Sequence, residues 1–363
     1  MAPLRGSFSV LVLYDVAEQI DLDQARATLG LRPPGREPSF KHPAPEYVRF
    51  ERPPVVEDLE PVAVGNGRFL SRAKYFAYGV VSVELELPFE TGWEDLVGLS
   101  SRFVSSQEVE KCTTELLRGC LERAKSALVQ PYSQWLSEDY SIINVREARN
   151  DNGDPYTADA MIASHSDHIA RIVRGDSGPL SAGERADALQ ASLSYYSTDL
   201  LVVGWLAAFI YDTPEGAAPA VQLLEYANTQ LLEFRHYDEV LTRILENVYT
   251  TIERQPGPFR HWRMAREAGK LNAVRLEVTD LTERTDNAIK FLGDMFYARA
   301  YRMAAARVGV TDYRNLVERK LRIAGDLYQS MVNEYHQARS FLLEAMVVAI
   351  LVIELIHLVI GFF

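Results

Sequence analysis

Residues 345–363 read AMVVAILVIELIHLVIGFF, and the reading of this stretch sets how the rest of the chain is arranged. A helix of this length rises about 28 Å, close to the roughly 30 Å hydrocarbon thickness of a bilayer. No other segment is both long and apolar enough. With nothing after Phe363, the expectation is a tail anchor that inserts after synthesis and leaves the body in the cytoplasm.

Glu354 and His357 interrupt the run, and Glu344 stands at its entrance. A carboxylate at the bilayer centre costs about 2.5–3.5 kcal/mol on insertion scales. Neighbours such as Val347, Val348, Ile350, Leu351, Val352, Ile353 and Leu355 each return about 0.3–0.6 kcal/mol, so the balance is slightly favourable. Glu354 and His357 lie three apart on one helical face, which lets them pair with each other or with a neighbouring helix. Glu344, Glu354 and His357 are therefore the expected intramembrane polar contacts. The alternative is a helix buried in the core of a soluble oligomer.

Upstream of the run, Val317, Leu321, Ala324, Tyr328, Met331, Tyr335, Ala338 and Leu342 alternate three and four apart, the spacing of a coiled-coil seam. The alternation continues through Ala345, Ala349, Val352, Ile356 and Val359. One helix thus carries a single seam from water into lipid, and a homo-oligomer is expected because an isolated anchor gives Glu354 no partner. Arg314, Arg319, Lys320, Arg322 and Arg339 make the approach to the anchor basic, which keeps the body on the cytoplasmic side.

The chain has 363 residues, enough for two domains. Its formal net charge of −12 disfavours a large nucleic-acid surface. Cys112 and Cys120 lack the C-x-x-C spacing of a redox or zinc site and read as buried thiols. The apolar run 10–14 ends at Asp15, too short for a signal peptide.

Residues 7–14 (SFSVLVLY) read as a buried strand and 21–29 as a short helix. The proline-rich piece 32–54 reads as a loop with one short strand at 47–50. Strands follow at 61–64, 68–75 and 78–87, then helices at 93–103 and 107–128 and a closing strand at 140–145. The fold class expected is α+β: a compact α/β domain over 1–150 with a mixed or antiparallel sheet. The turn cluster NDNGDP, 150–155, marks its end.

Residues 156–336 are expected to be a helical bundle and coiled-coil stalk, and 337–363 the anchor. Within the bundle, 200–211 (LLVVGWLAAFIY) is apolar on every face but short, so it reads as a core helix. A helix with Leu224, Ala227, Leu231, Phe234, Leu241, Leu245, Val248 and Ile252 near heptad spacing follows. Another carries Leu271, Val274, Val278, Leu281, Thr285, Ala288, Leu292 and Met295.

Motifs that carry chemistry are missing. There is no P-loop, H-E-x-x-H, G-x-S-x-G or complete G-x-G-x-x-G, Gly65 and Gly67 lacking the third glycine. His165-Ser166-Asp167-His168 is the nearest approach to a metal cluster, and it reads as a polar helix face. His236, beside Asp238 and Glu239, and His336 read as solvated surface. No catalytic, cofactor or metal residue is assigned.

At its C-terminal residues the chain resembles the "required for meiotic nuclear division" proteins, also called the YagE family. Leu343-Glu344 and Glu354, with MVVAILVI between them, have that family's spacing, and Lys320-Leu321 and the strand-to-helix step over 10–22 continue the likeness. Ala345 stands where the family usually has Trp, and Leu342 where it has Arg. The resemblance implies a membrane-anchored, non-catalytic protein without established catalytic residues.

The leading expectation is a non-enzymatic membrane scaffold that self-associates through stalk and anchor and presents its α/β domain to a cytosolic protein partner. The alternatives are a tether for RNA or ribosomes, and a hydrolase or nucleotide-binding enzyme drawing on Asp15, Glu18, Asp21 and Lys41.

Overall fold

The structure is a computed structural model that describes residues 3–31, 53–150, 152–253 and 295–360, with scattered positions between 266 and 282; at 248, 251–253, 330–342 and 354–360 only the helical backbone is described. The expected strand at 47–50 lies outside the described residues, as does most of the helix expected around 271–295.

The chain divides into two units. One comprises Met1–His236 with Thr282–Tyr313, the other Tyr237–Leu281 with Arg314–Phe363. The first is built on an eight-stranded mixed sheet in the order β2-β3-β4-β1-β5-β8-β7-β6. Its strands are β1 (Leu4–Ile20), β2 (Val55–Val64), β3 (Gly67–Tyr75), β4 (Val80–Thr91), β5 (Leu128–Glu147), β6 (Ser192–Leu193), β7 (Leu200–Val203) and β8 (Ala207–Tyr211). All neighbours run antiparallel except β5 and β8. The α+β class with a mixed sheet is thus what the chain adopts.

β1 lies at the centre of the sheet, and its sequence explains why. Pleat alternation puts Phe8, Val10, Val12 and Tyr14 on one face and Leu11, Leu13 and Asp15 on the other, all buried. A strand covered on both faces reads as a continuous apolar run. On the first face pack α1 (Leu22–Leu29), α2 (Trp93–Phe103), α3 (Gln107–Arg123), α4 (Ala158–Arg174) and α5 (Ala182–Gln190). Tyr14 donates or accepts a hydrogen bond at 2.8 Å with Thr113 of α3 on that side. The second face receives α6 (Pro214–Glu253), whose residues up to His236 belong to this unit.

Local signals set the element ends. Asp21 caps α1 by accepting from the amides of Asp23 and Gln24, and Gly30 closes it in the left-handed region at φ 65°. The β3–β4 turn needs Gly79: its φ is 92°, it returns a bond to the Phe76 carbonyl, and its own carbonyl accepts from the amide of Val16 at 3.0 Å. A Cβ there would stand 1.8 Å from the carbonyl oxygen of Ala17.

Two expectations change. Residues 200–211 form the β7–β8 hairpin, not a core helix, turning at Gly204 and Trp205. A short run of solid hydrophobicity has no period, so it fits a fully buried strand pair equally well. In consequence the sheet runs past the NDNGDP turn, and residues 1–236 form one unit with no boundary at 150.

The described residues of the second unit are helical. It holds the rest of α6 and, from Arg314, most of α8 (Val310–Ile360), which follows α7 (Met295–Arg307) after a break at Gly309. Leu241, Ile244, Leu245, Val274, Val278, Val317 and Ala324 are buried. Lys320 of α8 bonds Thr242 of α6 at 2.6 Å and pairs with Asp238 at 2.5 Å.

The expected transmembrane segment lies partly outside the described side chains. Among the described residues no helix is long and apolar enough to cross a membrane.

Candidate functional site

The site residues expected from sequence fall in three groups. Of the seam, Val317 and Ala324 are buried, Leu321 is half-buried and Tyr328 is exposed, while Met331, Tyr335, Ala338 and Leu342 lie outside the described side chains. Glu344 is exposed, and Glu354 and His357 lie outside the described side chains. From 343 to 353 every side chain is exposed, including Met346, Val347, Val348, Ile350, Leu351, Val352 and Ile353 at 49–65%.

Among the described residues of the first unit, three polar clusters involve the residues singled out in the sequence or hold α6 on the sheet. The first forms where β1 and β5 lose register between Asp15 and Ala17. Such irregularities re-aim side chains. Asp15, buried on the face toward α6, meets the Nδ1 of His236 at 2.6 Å. The ring of Tyr132, from the irregular part of β5, stacks on His236 at 5.1 Å. Alongside, Arg235 pairs with Glu138 of β5. His236 is therefore no solvated surface residue. The missed signal is that Asp15 and His236 are 221 positions apart (236 − 15), so only the register of the sheet brings them together.

The second cluster lies on the same sheet face. Lys74 sits between Glu225 of α6, at 2.7 Å, and Glu84 of β4, at 3.1 Å. Ser82 donates to the second oxygen of Glu225 at 2.7 Å. Arg72 adds a contact at 3.7 Å to Glu84 and one at 3.0 Å to Asp58. Burial works to lower the Lys74 ammonium, but the two carboxylates outweigh it and push it well above its ordinary value. Burial likewise works to raise Glu84, and Lys74 and Arg72 outweigh it and hold the carboxyl low. Farther along α6, Thr229 shares a 2.8 Å hydrogen bond with the hydroxyl of Tyr78 in the β3–β4 turn. The carboxylates here are spent on holding α6 against the sheet.

The third cluster surrounds α2 and α4. His165 is buried, stacked on Trp93 at 4.2 Å, with its Nε2 3.0 Å from the hydroxyl of Tyr156. Its backbone leaves helical geometry at φ −129°, ψ 18°, so α4 kinks there. His168 instead meets Glu94 of α2 at 3.2 Å, beside Arg171 at 3.1 Å. The two histidines expected to share one polar face are thus split between core and surface ion pair. Among the described residues, no three His, Cys, Asp or Glu side chains are placed to hold a metal ion. Cys120 is buried and Cys112 half-buried, both as free thiols, and burial pushes both up, away from the reactive thiolate.

Comparison with known proteins overturns the resemblance to the YagE family. Residues 5–218 match the model of a different family, described as Uncharacterized protein MJ0711, N-terminal domain. The likeness had rested on a short leucine and glutamate spacing that many apolar helices share. Over 198 residues the chain is 21% identical to Uncharacterized protein MJ0711 of Methanocaldococcus jannaschii, covering 54% of this chain and 61% of that relative's length. No solved structure matches. With the matched region running from Arg5, the second residue of β1, past the end of β8, the chain belongs to the MJ0711 N-terminal domain family.

Proposed function

We propose that this protein is a non-enzymatic scaffold held at a membrane by the apolar part of α8, presenting its α/β unit to a protein partner in the cytoplasm. The observation that carries the reading is the uncovered apolar helix from 343 to 353. Leaving a Val, Leu or Ile side chain in water forgoes about 1.5–3 kcal/mol each relative to burial. Such a run needs a cover, and lipid supplies one on all sides at once. A helix lying flat in the headgroups keeps a polar face. Here Val347, Val348, Ile350, Leu351, Val352 and Ile353 leave none, which favours insertion end-on, with Glu344 at the boundary. The sequence beyond Ile353 stays apolar apart from Glu354 and His357.

Deleting 345–363 tests this. The full chain should float with phosphatidylcholine vesicles in a density gradient and the truncated chain should stay at the bottom. A truncated chain that still floats at high salt refutes the anchor. A second reading, a hydrolase or nucleotide-binding enzyme, draws support from the Asp15–His236 pair. Turnover by the full chain that is lost in His236→Gln would put that reading first.

A further inference from the structure

We propose that residues 132–135 of β5 form a strap that closes over the imidazole of His236 and is latched there by the ring of Tyr132. The proposal is independent of α8 and of any membrane.

The strap lies where the central ladder breaks. Asp15 pairs with Leu136 and Ala17 with Pro131, so β1 sets the single residue Val16 against four of β5. The amide of Val16 donates to the Gly79 carbonyl, on the β4 side and away from the strap. β8 pairs with residues 141–145, farther along β5, so among the described residues no strand flanks the strap on that side. Ser133 and Gln134 are exposed, as are Gln130 and Pro131 at its base. A segment outside the ladder and open to water comes from the low-stability end of a fold.

Both ends of the strap are pinned. Arg235 of α6 pairs with Glu138 beyond it, and Leu128 and Val129 pair with Ile20 and Gln19 before it. Gln130 stands at φ 50°, a left-handed value uncommon for a residue with its side chain. Backbone of this kind persists where surrounding contacts hold it, and it gathers at clamps and switch regions. Here the Tyr132 ring lies on His236 at 5.1 Å with 18° between the planes. Trp135 donates from Nε1 to the Tyr132 carbonyl at 3.2 Å and packs against the core of the first sheet face.

What the strap covers is an imidazole set for proton transfer. Asp15 meets its Nδ1 at 2.6 Å and so fixes which way the ring points. Opening the strap uncovers the ring face that Tyr132 occupies and gives a small polar molecule access to it. Closing shuts water out, as lids over reactive groups do.

Diethyl pyrocarbonate, which acylates histidine nitrogen, reports how often the ring is uncovered. Read by mass spectrometry of the His236 peptide from the full chain, Tyr132→Ala should react at least tenfold faster than the natural chain. Tyr132→Phe, which keeps the ring, should react like the natural chain. His168, paired with Glu94 on the other sheet face, should react alike in all three. In the natural chain the amides of 133–135 should exchange with deuterium at least tenfold faster than those of 142–145. Equal His236 rates in Tyr132→Ala and the natural chain overturn the latch. Strap amides as protected as those of 142–145 overturn the strap. Faster reaction at both histidines overturns it as well, because the ring then supports the whole fold.

Discussion

The Nδ1 of His236 stands 2.6 Å from the buried carboxylate of Asp15, tying the last residue that α6 contributes to the α/β unit to the central strand. A charge-assisted bond between such groups contributes about 1.5–3 kcal/mol. Asp15→Asn and His236→Gln should each destabilise the protein, and the double variant should cost less than the sum. The expected coupling is about 1.5 kcal/mol from urea unfolding of the four proteins. A coupling below about 0.5 kcal/mol would make the contact a bystander.

Lys74 poses the harsher test of what fixes α6 on the sheet. Lys74→Met removes the cation and leaves Glu84 and Glu225 buried near one another, which should cost about 3–5 kcal/mol. Adding Glu84→Gln and Glu225→Gln to that variant should restore a large part of the loss. If the triple variant is no more stable than Lys74→Met, the penalty comes from lost packing of the lysine stem.

The same cluster predicts an acid dependence with a definite sign. Glu84 titrates below its unfolded value of about 4.3, so its stabilisation is complete above that pH and is lost as pH falls through the lowered native value. Stability of Glu84→Gln should therefore fall less steeply below about pH 4 than that of the natural chain. Parallel acid limbs in the two unfolding profiles would contradict the assignment.

At the β3–β4 turn, Gly79→Ala forces a Cβ against the Ala17 carbonyl at a left-handed φ. The expected loss is about 3 kcal/mol, read from the urea midpoint. A change under about 1 kcal/mol would mean that β1 yields at its register shift.

Much of this architecture is legible from residue types alone. β1 and α2 declare themselves by a solid apolar run and by Trp93, Leu96, Val97 and Phe103 at helical spacing. The β7–β8 hairpin does not, because Leu200 to Tyr211 is apolar throughout and only the neighbouring strand β5 decides that it is extended. The polar clusters were hidden for a different reason. Asp15 and His236, or Lys74 and Glu225, look like ordinary solvated charges until the sheet order places β1, β3 and β4 under α6. His165 reads as polar surface beside His168, and only the kink in α4 turns it onto Trp93.

The apolar end of α8 makes the most direct prediction about function. Ile350 lies mid-run and is 55% exposed, so replacing it disturbs no described packing of the chain on itself. Ile350→Lys puts an ammonium where the anchor reading places acyl chains, at a cost of about 2.5–3.5 kcal/mol at the bilayer centre. Partitioning into phosphatidylcholine vesicles should then fall by roughly 70-fold or more, since each 1.4 kcal/mol is a factor of ten. Ile350→Leu, equally apolar, should partition like the natural chain. Far-ultraviolet circular dichroism of the two variants should coincide, because α8 needs no contact at this position to stay helical. If the lysine variant binds vesicles as well as the leucine variant, the exposed run is not what meets lipid, and a protein cover for residues 343–353 takes its place.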